Sequence, residues 1–211
     1  MKLVKLKWTF LSGPSGILAV LLVFLLSADG GNAPSSTPFI AMSSVSVPEI
    51  PAKAAELVRA AAAPDRDQTT REVLRAVSLI ARPGVLPYVV SAICRSTPEV
   101  AGSVVLSAIQ LQPEDVLILS KAALCAAPGQ VEQVVFSACK AAPASCADVV
   151  RVASRQLPAA SDLILAGVVG ALPTLKLDLE EAEMEVGTNN VEAVISRTAQ
   201  LSKPDNKAQP K

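Results

Sequence analysis

Histidine is absent from the 211 residues. That absence removes imidazole general bases, Ser-His-acid and Cys-His dyads, and the commonest protein metal ligand. The chain also lacks a C-x-x-C pair and a phosphate-cradling glycine loop, so thiol redox and nucleotide chemistry have no recognisable frame. Ser120 and Lys121 are adjacent and on a helix would point to different sides. An acidic run, Glu180, Glu181, Glu183 and Glu185, reads as a solvated face rather than a metal cage. No enzyme is expected, and no cofactor.

Aromatic residues are scarce, at 3% of the chain, and no charge of one sign dominates: nineteen basic residues face nineteen acidic ones. A chain without net charge has no global field to draw in a polyanion, so nucleic acid is not an expected partner. What is abundant is small and aliphatic. Hydrophobic residues make up 51% of the chain, chiefly Ala, Val, Leu and Ile, which is ample for a core in which backbones approach closely.

At the N-terminus, Lys2, Lys5 and Lys7 precede the apolar run ILAVLLVFLL (17–26) and the small, polar stretch SADGGNA. That order matches a secretory signal occupying residues 1–33, with cleavage after Gly30 or Ala33. The competing reading is an uncleaved membrane tether over residues 8–26, which approach the length a membrane helix needs. Residues 34–50 are rich in Ser and Pro and read as a linker, with docking of Phe39–Met42 on the first helix as the alternative.

The middle of the chain is periodic. Prolines stand at 83, 98, 113, 128, 143, 158 and 173, fifteen residues apart, as in PEDVLILSKAALCAA (113–127). With each proline counted as position 1, positions 4, 7, 8 and 11 are apolar, for example Leu86, Val89, Val90 and Ile93, or Val131, Val134, Val135 and Ala138. The spacing i, i+3, i+4, i+7 is one helix face. Proline starts each helix, where a missing N–H costs nothing, and ends the one before. Acidic residues such as Glu99, Glu114 and Asp148 fall early in each unit, and Arg95, Lys121, Lys140, Arg151 and Arg155 fall late, as the helix dipole favours. The expected fold is all-α: a tandem, solenoid-like array of about eight short antiparallel helices over residues 51–172. An acidic, partly disordered tail over 173–211 follows, with VEAVISRTAQL (191–201) as a closing helix.

Four cysteines lie inside the array. Cys139 and Cys146, at positions 12 and 4 of consecutive units, meet if the chain turns about Pro143, and this pair is expected to bridge; Cys94 and Cys125, two units apart, are a second expected pair. The alternative reading makes all four small buried core residues.

The Ala-Ala-Pro punctuation of CAAPGQ and KAAPAS, within residues 51–173, resembles that of uncharacterised, secreted bacterial proteins with tandem short-helix repeats. The resemblance implies the array and brings no functional residues with it. The expected role is that of a secreted or periplasmic binding or scaffold module of the cell envelope, with a protein or envelope component as its partner. The alternative is a spacer anchored in the inner membrane, with no ligand. Apolar residues on the outer ridge, Tyr88 at position 6 and Leu106 and Phe136 at position 9, are the candidate partner contacts.

Overall fold

The computed structural model describes residues 36–80, 84–187 and 190–201. The signal or tether reading of residues 1–33 and the last ten residues of the chain lie outside them. All the described elements are helical. They are α1 (Ser36–Ser43), α2 (Ile50–Ala60), α3 (Arg66–Ile80), α4 (Leu86–Ser96), α5 (Ala101–Leu111), α6 (Val116–Ala126), α7 (Val131–Ala141), α8 (Cys146–Gln156), α9 (Ser161–Ala171), α10 (Lys176–Val186) and α11 (Val191–Leu201). The repeated helical array expected from the proline period is the observed fold.

Each proline from Pro98 to Pro173 opens a single 3-10 turn that leads directly into an α-helix of eleven residues. The corner itself is the residue before the proline. Thr97, Gln112, Ala127, Ala142, Leu157 and Leu172 all sit near φ −144 to −129° and ψ 65 to 76°, because the proline ring excludes the helical region there. No backbone group is wasted at this corner. The N–H of Ala142 still donates to the Ala138 carbonyl at 2.9 Å, closing α7, and its own carbonyl accepts from Ser145 N–H at 3.0 Å, opening the next turn. The same pair of bonds recurs at all six corners. At the corner between Pro158–Ala171 and Pro173–Val186 the chain direction changes by 116°.

From α1 to α9, helices two apart in sequence pack most extensively and consecutive helices less so, whereas α10 packs chiefly on the consecutive α11. This sorts the array into two rows: α1, α3, α5, α7 and α9 in one; α2, α4, α6 and α8 in the other. Within a row, Gly102 of α5 faces Gln133 and Ser137 of α7, and Gly167 of α9 faces Glu132, Val135 and Phe136 of α7. These separations of 31 to 35 residues stay close to two repeats, as they must when helices in a row run parallel.

The core lies between the rows. Positions 7, 8 and 11 are buried in every unit from α4 to α9, and position 4 in all but Ser161. In α4 to α7 position 12 is a fifth core position that the i, i+3, i+4, i+7 pattern did not include: Cys94, Ile109, Leu124 and Cys139 are fully or almost fully buried, whereas Ser154 of α8 and Val169 of α9 are only partly so. An isolated helix of eleven residues is marginal in water. Full burial of each Val or Leu contributes about 1.5–3 kcal/mol, and stacking supplies it.

The ends depart from the sequence reading. Within the segment read as a linker, Ser36–Ser43 is a helix; it packs on α3 and buries Met42 completely, since Phe39 and Met42 give it an apolar side. Within the segment read as a tail, Pro173 starts a further unit, α10. Glu180 and Glu183 occupy positions 8 and 11 there, so α10 buries only Leu179 and Ala182. Gly187, at φ 83°, ends α10 in a conformation that favours glycine. The following α11 packs on α8 as well as on α10, taking the place the next helix of that row would hold.

Among the described glycines, Gly167 is the one with least room for a side chain. A Cβ on Gly167 would lie 2.6 Å from the Glu132 carbonyl oxygen and 3.1 Å from Val135 Cβ, whereas one on Gly129 would meet nothing within 4 Å. Gly167→Ala should therefore destabilise by about 1–3 kcal/mol, lowering the melting temperature by about 2–4 °C per kcal/mol. Gly129→Ala should leave it unchanged or slightly raised. Thermal unfolding followed by circular dichroism measures both.

Candidate functional site

With positions 4, 7, 8, 11 and 12 buried, the helical period places positions 6, 9 and 13 on the outside of each row. On the α5–α7–α9 row these are Ser103, Leu106 and Gln110; Gln133, Phe136 and Lys140; and Leu163, Ala166 and Gly170. A groove of about 520 Å³ crosses the three helices here, with Leu106 and Phe136 in its walls and Gly102, Gly167 and Gly170 among its lining residues.

The groove exists because the row is built from small residues. Position 10 is Ser107, Ser137 and Gly167 in α5, α7 and α9, but Ala92, Ala122 and Val152 in α4, α6 and α8. Parallel helices that meet through Gly and Ser approach closely, and the larger side chains at position 9 stand out as ridges. The Phe136 ring lies against Gly170, where a Cβ would come within 3.1 Å of its edge. Lys140 Nζ sits 5.3 Å from the ring centroid, a cation–π contact that fixes the outer side of the ring. Glu132 and Gln133 provide the polar rim.

Two of the three partner contacts expected from the sequence, Leu106 and Phe136, thus share one site. The third does not join them: Tyr88 belongs to α4, in the other row, and stands 70% exposed. The glycines that floor the groove were not anticipated. For Gly167 the signal was a second period, thirty residues long, in which alternate units carry Ser or Gly at position 10; Gly102 and Gly170, at positions 5 and 13, have no such signal.

The other row presents Tyr88, Ser91 and Arg95; Ile118, Lys121 and Cys125; and Asp148, Arg151 and Arg155. Arg151 pairs with Asp148, and Arg155 reaches Glu192 of α11 at 3.1 Å. Arg197 of α11 in turn donates to Glu185 of α10 at 2.6 Å, and this bond holds the Glu185 carboxyl below its ordinary range.

Cys139 and Cys146 form a disulfide across the Ala142–Pro143 corner, with their Cα atoms 4.6 Å apart. At the corresponding places in other corners stand Ile109 with Val116 and Leu124 with Val131, so the bridge replaces an apolar pair. The second expected bridge, Cys94 to Cys125, does not form: both are free thiols. Positions 12 and 13 lie 100° apart around a helix, which sends Cys94 into the core and Cys125 out to solvent. Burial pushes the Cys94 thiol up to about 12, while Cys125 Sγ donates to Gln156 Oε1 at 3.3 Å.

Comparison with protein-family models, with curated proteins and with solved structures finds no match. The chemistry of this chain is therefore read from its own surface. Among the described residues no group of three or more Cys, Asp or Glu is placed to hold a metal ion, and no single helix is long and apolar enough to cross a membrane.

The thiols make a direct check. In the native protein at pH 8, a maleimide should label Cys125 alone, and Cys94 should react only on unfolding. Peptide mass spectrometry reads the sites. Removing the 139–146 bridge with Cys139→Ser and Cys146→Ser should cost about 2 kcal/mol, the loop-entropy value for so short a loop, measured by denaturant unfolding.

Proposed function

We propose that the protein is a non-catalytic binding module, and that its contact surface is the groove over α5, α7 and α9. The observation that carries this reading is the pairing of Leu106 and Phe136 in one concave site lined by Gly102, Gly167 and Gly170. Such a site suits an apolar segment of a protein partner: ridges of the segment fill the glycine floor, and the rim at Ser103, Gln133 and Glu132 hydrogen-bonds its polar edge. An aromatic ring already held against Gly170 and Lys140 loses little freedom on binding, which favours it as an energetic anchor. The bridge across the Pro143 corner supports an oxidising compartment, in keeping with a secreted or periplasmic envelope protein.

The test is a photo-crosslinker placed at Ser103 in the native envelope setting. A captured partner that disappears with Phe136→Ala, while the variant keeps its helical content, supports the groove. Capture that is indifferent to Phe136→Ala, or no specific capture, favours the spacer reading, in which the array holds a distance and has no ligand.

A further inference from the structure

The outer surface opposite the groove raises a separate question, because two unpartnered faces of this chain complement each other. The first is on α10. Leu177 is 76% exposed and Met184 83% exposed; they stand seven residues apart, on the side of the helix opposite buried Leu179 and Ala182. Glu180 and Glu181 lie between them, and Asp178, Glu183 and Glu185 bring the helix to five carboxylates against the single Lys176. The result is an acidic helix with two apolar anchors at i and i+7, the pattern that seats a helix in a partner surface.

The second face is the outside of α4, α6 and α8. Its parallel helices line up Tyr88 and Ile118, the latter 57% exposed, beside Lys121 and Arg95, while at the α8 end of the face Arg151 pairs with Asp148 and Arg155 with Glu192 of α11. Neither Arg95 nor Lys121 has an ion-pair partner among the described residues. A chain whose formal charge is zero therefore carries a basic apolar face and an acidic apolar helix, and within one molecule Leu177 and Met184 remain exposed.

We propose that the occupant of this basic face is α10 of a second copy of the chain. Leu177 and Met184 pack against Tyr88 and Ile118, and Glu180 and Glu181 meet Lys121 and Arg95. Each copy offers both surfaces, and in the proposed dimer the two exchanges are made reciprocally about a two-fold axis, which leaves neither surface open for head-to-tail growth. The charges set register and orientation, and the apolar pairs supply the burial. The dimer leaves the groove of Leu106 and Phe136 free, since that lies on the other row.

Full-length chain serves for the test. A Met184→Cys, Cys125→Ser variant is mixed with the unmodified chain, and a short bismaleimide is added. A cross-linked dimer should form in the mixture and be largely absent from either chain alone. In sedimentation, Lys121→Glu or Glu181→Lys should each weaken self-association by about tenfold or more, the mixture of the two variants should restore it, and added salt should weaken it. Phe136→Ala should leave it unchanged, so failure of the groove and failure of the dimer are told apart. No cross-link in the mixture, equal cross-linking in the separate chains, or self-association indifferent to both charge reversals would overturn the proposal.

Discussion

The array depends on what happens at the residue before each proline. There the N–H completes one helix and the C=O begins the next, while the proline ring forbids the helical conformation that would run them together. Because both polar groups are satisfied, the turn costs little and needs no loop. Repeating it every fifteen residues sends alternate helices into alternate rows. With about four turns per unit, the apolar stripe of every helix, in either row, comes round to face the core between the rows. A corner geometry six times repeated to within some fifteen degrees of φ is the reason each helix meets the one two units on in a similar way.

From that constraint the remaining features follow as choices of side chain. One row uses Gly and Ser where its helices meet and so leaves a groove with Phe136 and Leu106 as its relief. The other uses Ala and Val at the same position, and shows charge outside. A cysteine pair substitutes for the apolar pair inside one corner, and Cys94, at the same position of another unit, has Ala101 rather than a cysteine at position 4 of the next unit and stays a thiol. The array ends where glutamates replace the apolar residues of positions 8 and 11: Glu180 and Glu183 cannot be buried unpaired, so α10 turns another side inward and α11 closes the stack.

Much of this was legible in the sequence. The proline period gave the helices, their core faces and the Cys139–Cys146 pairing, because each rests on local geometry that one repeat determines. What escaped the reading depended on relations between repeats. That units two apart are neighbours was implied by the expected Cys94–Cys125 pair, but the difference between the rows hides in a thirty-residue alternation at position 10, visible at Ser107, Ser137 and Gly167. Tyr88 looked equivalent to Leu106 and Phe136, since position 6 and position 9 both face outward; row membership separates them. Cys94 and Cys125 looked like a pair because their helices are neighbours, and the 100° between positions 12 and 13 sends one inward and the other out.

The central claim is that units two apart lie side by side and consecutive units face opposite ways. Position 9 tests it directly, because Lys121, Phe136 and Arg151 occupy it on α6, α7 and α8. Spin labels at 121 and 151, thirty residues apart, should be closer together than labels at 121 and 136, fifteen apart, with the first pair separated by about one interhelical spacing of 8–10 Å plus the label arms. The opposite order, with the fifteen-residue pair the closer, would mean that consecutive helices share a face and would contradict the two-row array.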